Sequence, residues 1–178
     1  PRPSLFSQAS MKTPPIDPTA SASPEALRGF LAQCATAASA AGRPQLVSIS
    51  MTVESLDPLA VLESIFEPGE PHFYAERPAH GFSVAGAEAV VEFTSSGAQR
   101  FQQARAFMEL TLANTIAVGP LAEPFAGPHF FFAVGFADEA APGAPFPALR
   151  LFVPRWQVAR LGDSTVAVAN VLVSADAP

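Results

Sequence analysis

A chain of 178 residues that is 49% hydrophobic and 15% charged has the size and apolar content of one folded domain, which excludes a disordered protein. A net charge of −6, with one lysine (Lys12) and nine arginines spread singly, excludes a basic footprint for nucleic acid or an anionic membrane surface. No window approaches the roughly 20 apolar residues of a membrane span, residues 1–22 lack a signal-peptide core, and the lone Cys34 cannot close an internal disulfide, so a soluble cytoplasmic protein is expected.

Residues 1–22, rich in Pro, Ser and Thr without an apolar period, are expected to form a disordered leader, with Met11 as the expected translation start. The folded region is expected to span 23–178. It opens on a helix with Ser23 as N-cap, Pro24 at the first helical position and Leu27, Phe30, Leu31, Cys34 and Ala38 at helical spacing up to Gly42. That spacing makes Cys34 a buried structural thiol. Gln45–Val53 alternates Leu46, Ser48 and Ser50 against Val47, Ile49 and Met51, which predicts a half-buried strand with one wet face. Asp57 then caps a short helix through Phe66 that packs Leu59, Val61, Leu62 and Ile65 inward.

Three strands are predicted at 72–77, 81–85 and 88–93, and turns this short force an antiparallel meander. Ser95 or Ser96 is the expected cap of a second long helix, with Phe101, Ala104, Phe107, Met108, Thr111 and Leu112 as its apolar stripe and Arg100, Gln103 and Arg105 on its polar side. Residues 127–136, GPHFFFAVGF, are so apolar that they predict a central strand with both faces covered. Strands at 149–154, 156–161 and 165–173 follow, the last pair turning at Gly162-Asp163. The expected fold is α+β: a largely antiparallel sheet covered by two long helices.

Catalytic motifs are scarce. The sequence holds no glycine-rich phosphate loop, no Gly-x-Ser-x-Gly elbow, no paired-cysteine zinc spacing and no His-Glu-x-x-His. His72, His80 and His129 are isolated, each reading as a satisfied polar residue near a strand end. Glu88 and Glu92 share a strand face, but at a rise of roughly 3.3 Å per residue they stand too far apart to grip one ion and read as a solvated edge. Glu63, Glu67 and Glu70 read as a polar helix face running into a turn. No residue is assigned as catalytic, cofactor-binding or metal-binding.

Five patches in order carry a resemblance: Gln45 to Ser50 (QLVSIS), Pro71 to Pro78 (PHFYAERP), Gly81 to Gly86 (GFSVAG), Gly127 to Phe131 (GPHFF), and Phe146 to Leu149 (FPAL) with Leu151 to Arg155 (LFVPR). In order and spacing the chain resembles the N-terminal portion of the isochorismate synthases, a chorismate-utilising family. The resemblance implies one half of a two-sheet enzyme that isomerises chorismate to isochorismate with Mg²⁺, for menaquinone or siderophore synthesis. It further implies a lysine that activates water for attack at C2 and a glutamic acid that helps the C4 hydroxyl leave, both in a C-terminal catalytic region that this chain is expected to lack. Lys12, in a leader no core can desolvate, does not suit that base. Leu62-Glu63-Ser64 resembles a patch of the tryptophan-inhibitor pocket in anthranilate synthase, which leaves a small-ligand regulatory module, or a purely structural half, as alternatives.

Overall fold

The computed structural model describes residues 23–174. The expected leader, with Met11 and Lys12, lies outside them. Three helices, α1 (Pro24–Ala41), α2 (Pro58–Ile65) and α3 (Arg100–Ala113), accompany seven strands: β1 (Gln45–Val53), β2 (His72–Arg77), β3 (Phe82–Ser95), β4 (Thr115–Val118), β5 (Phe131–Val134), β6 (Leu149–Leu161) and β7 (Ser164–Val173). The strands form one sheet in the order β2-β3-β6-β7-β1-β4, with β5 on β6. Every pairing is antiparallel except β1 with β4, so the sheet is mixed.

The first helix forms for the reasons its sequence shows. Ser23 Oγ accepts from Ala26 N at 3.1 Å, and Gly42 closes the other end in a left-handed conformation. Phe30 and Cys34 then pack on Val47, Ile116, Val118 and Val173 of β1, β4 and β7. Burying Phe30 contributes about 1.5–3 kcal/mol. On α2, capped by Asp57, Leu62 is buried against Ala85 and Ala87, while Leu59, expected inside, is exposed at the outer turn. Registers Val47↔Val171, Ala167↔Val158 and Val158↔Ala85 place α1 and α2 on the same face of the sheet.

Several expectations are corrected. The central strand is β6. It pairs β3 along its whole length, and β7 and β5 on its other side. Of residues 127–136 only four join the sheet, because Pro128 has no N–H to give a ladder and Gly127 turns the chain at φ 80°. Phe132 is 66% exposed and Phe136 wholly so. Pro154 does not divide β6 in two, since it pairs Ala89 beside an irregularity where Glu88 adopts φ 57° and the register slips between Ala89 and Val91. For the same reason 81–85 and 88–93 are one strand, β3. Gly86 serves close approach rather than a turn, a Cβ there meeting the Phe131 ring at 3.0 Å and Pro154 at 3.1 Å.

The start of α3 also differs. Its N-cap is Gln99 without a side-chain bond, Ser95 belonging to β3. Arg100, expected on the polar side, is buried: its Nη1 donates to Gly97 O at 3.2 Å and to Asp138 Oδ1, tying the helix start to the 135–148 loop. Phe101, expected in the apolar stripe, is 56% exposed and stacks under that guanidinium. Ala104, with Phe107 and Met108, makes the contact to Phe93, Leu149 and Leu151.

Candidate functional site

Ser48 and Ser50 were expected on a wet face of β1, yet both are fully buried. The strand lies inside the sheet, between β7 and β4, and its second face is covered by residues 119–130, a strap without strand or helix. In register, Ser50 stands beside Val168, Val168 beside Gln157 and Gln157 beside Gly86, while Ser48 stands beside Asn170. Partners across a ladder share a face, so Ser48, Ser50, Gln157 and Asn170 form one polar seam under the strap.

Hydrogen bonds fix the strap to that seam. Gly127 N donates to Ser50 Oγ at 2.8 Å, and Gln157 Nε2 donates to the Phe125 carbonyl at 2.9 Å. Asn170 Nδ2 donates to Pro154 O at 2.8 Å. Among the described residues Ser48 Oγ, Gln157 Oε1 and Asn170 Oδ1 have no hydrogen-bond partner although each is buried. Each such acceptor would cost about 1–3 kcal/mol if it went unpaired. Both amides are fixed in orientation, because turning either would break the bond its nitrogen donates.

His129 lies at the strap's end, partly buried, with Nδ1 3.1 Å from Gly127 O and its ring 5.6 Å from that of Phe125. Burial lowers its pKa, a shift that the Gly127 carbonyl bond offsets only in part. The unfolded chain therefore binds this proton more readily than the folded one. Stability is expected to fall as pH drops below 6.5 towards the folded pKa. Urea midpoints at neutral and mildly acidic pH should show that slope reduced in His129→Gln; an equal slope in both proteins would remove His129 as its source.

The other singled-out residues stand apart from the seam. His72 is exposed at the start of β2, Nδ1 3.2 Å from Glu70 O and ring edge-on to Phe66; His80 closes the 3₁₀ turn Pro78–His80. Glu88 and Glu92 are each engaged by an arginine, Arg155 Nε at 2.6 Å and Arg150 Nε at 2.7 Å. Both glutamates stand on the half of β3 beyond Ala87, which β2 does not pair, as the edge reading expects. Glu63, Glu67 and Glu70 are exposed, as is Ser64; the third member of that patch, Leu62, is core. Cys34 is buried, which raises its thiol pKa and makes it a poor nucleophile.

Sequence reading missed Ser48, Ser50, Gln157 and Asn170 as a group. The available signal was a polar residue interrupting each of two apolar strands, Gln157 between Trp156 and Val158 and Asn170 between Ala169 and Val171. Chemically the seam offers amides, hydroxyls and one imidazole disfavoured as a cation. It can orient a polar group but holds no charged acid–base pair.

Over residues 30–178 the chain that folds into this strapped, mixed sheet matches the family model of the chorismate binding enzymes, and it belongs to that family. It is similar to the salicylate biosynthesis isochorismate synthase of Pseudomonas aeruginosa strain PAO1, 32% identical over 114 residues. That alignment covers 64% of this chain and 24% of the relative, so the chain spans about a quarter of the relative's length.

Proposed function

We propose that the chain is the N-terminal, non-catalytic part of an isochorismate synthase, which isomerises chorismate to isochorismate with Mg²⁺ in the cytoplasm for menaquinone or siderophore synthesis. The observation that carries this reading is the 32% identity to an isochorismate synthase over 114 residues, together with a family match from 30 to 178. The sheet would be one half of a two-sheet enzyme, with the water-activating lysine and the glutamic acid supplied by the other half.

The residues described here do not fit a Mg²⁺ site. Among them no three His, Cys, Asp or Glu side chains gather, and Glu88 and Glu92 are occupied by arginines. Nor do they include a lysine. What this part does, on the proposed reading, is support: its core holds the sheet, and the strap-covered seam sets the sheet's second face.

Two assays test the proposal. The chain alone, rigorously purified and given chorismate and Mg²⁺, is expected to form no isochorismate, and turnover that survived purification would overturn the non-catalytic assignment. A chimera in which residues 30–178 replace the corresponding family segment of the P. aeruginosa enzyme should keep isochorismate formation. A folded but inactive chimera would count against the isochorismate synthase reading.

A further inference from the structure

The strap meets a second feature at the β2–β3 turn. There Arg77, Phe82 and Leu161 stand in register across β2, β3 and β6, on the strap-covered face. Phe125 of the strap stacks on Phe82 with ring centroids 5.0 Å apart and planes 26° apart. With His80 from the 3₁₀ turn these side chains line a groove of about 360 Å³, within the size range of small-molecule sites.

Arg77 and Glu76 are the charged side chains at the groove beside His80. Among the described residues Arg77 has no carboxylate within salt-bridge distance. The nearest acidic neighbour in sequence, Glu76, borders the groove but alternates onto the helix face, where its Oε2 accepts from Tyr74 OH at 2.7 Å. Phe125 itself holds φ 64°, a conformation costly for a non-glycine residue, and its carbonyl is the acceptor of Gln157 Nε2. The ring is thus presented at the groove by a backbone that the seam locks.

We infer that this groove binds a small monocarboxylate bearing a planar ring, the carboxylate on Arg77 and the ring on the Phe82–Phe125 platform. A guanidinium matches a carboxylate in a bidentate fork, and an offset ring adds stacking on an apolar surface. The inference goes beyond the proposed isomerase and does not depend on it, since the groove is built wholly from residues of this chain.

Benzoate is the probe, titrated into the full chain and followed by amide NMR. Saturable shifts are expected at Arg77, Phe82 and Phe125, together with the side-chain amide of Gln157, which reports the strap carbonyl. Acetate, charge without ring, and benzyl alcohol, ring without charge, should each bind at least about tenfold more weakly. Arg77→Ala should weaken benzoate by about tenfold or more, with Arg77→Lys between the two. Because Phe82→Ala could unfold the hairpin, Phe82→Leu is the paired variant, and it should weaken benzoate while leaving acetate unchanged. The inference is overturned if benzoate gives no saturable shifts at millimolar concentration, if Arg77→Ala binds as the parent does, or if the shifts map to Phe132 and Phe146 instead. None of these outcomes bears on the chimera assay, so the two readings fail separately.

Discussion

Gly119→Ala is expected to destabilise the chain by more than about 3 kcal/mol, a large share of the roughly 5–15 kcal/mol that keeps an ordinary domain folded. A Cβ at this position would lie 2.0 Å from the carbonyl oxygen of Ser50 and 2.9 Å from its carbon. Both atoms are backbone of an interior strand, so neither can swing aside as a side-chain tip would. The φ of 104° adds strain for any residue with a Cβ. Gly143→Ala is the control: φ is 77° there, but a Cβ meets nothing within 4 Å, and the cost should stay near 1 kcal/mol. Urea midpoints for the two variants make the comparison. Equal losses would mean that conformational strain alone, and not the approach of β1, fixes Gly119.

The second large effect concerns association. Val134, Phe136 and Phe146 expose their side chains around an apolar groove of about 410 Å³ beside β5, and Phe132 of the same strand is exposed as well. A surface of this kind, contiguous and aromatic, is unusual on a soluble monomer. In isolation the chain should bind a hydrophobic dye and sediment above monomer mass, and Phe132→Ser with Phe136→Ser should reduce both. A strictly monomeric, dye-silent chain would show that the groove is not an interaction surface. On the proposed reading the remainder of a longer enzyme covers it. Within the run 127–136, Phe136 is exposed, while Phe131 is buried between Phe73 and Phe152.

What the sequence made legible was local. Ser23, Pro24 and Gly42 mark α1 because capping is decided within one turn, and the bounds of β1 and β2 follow from alternation over a few residues. What it hid was set by neighbours. The most apolar run reads as the centre of a sheet, but burial is a property of pairing, and β6, interrupted by Pro154 and Arg155, has the partners. Arg100 looks like a surface residue until Asp138 is placed beside it. The seam was illegible for the same reason: Ser48 and Asn170 are 122 positions apart and become neighbours only through the β1–β7 register.

The position of β1 also bears on how the chain is made. Its two ladder partners are β4, at Thr115–Val118, and β7, at Ser164–Val173, so neither neighbour exists when β1 leaves the ribosome. Early in synthesis α1 can shield one face of β1, but both rows of its amides and carbonyls wait for distant partners. Contacts of such long sequence separation form late and slowly, and an unpaired apolar strand is prone to aggregate meanwhile. A ribosome stalled before Ser164 would hold β1 with one side bare, making that nascent chain a stronger client for a strand-binding chaperone than one released after Val173.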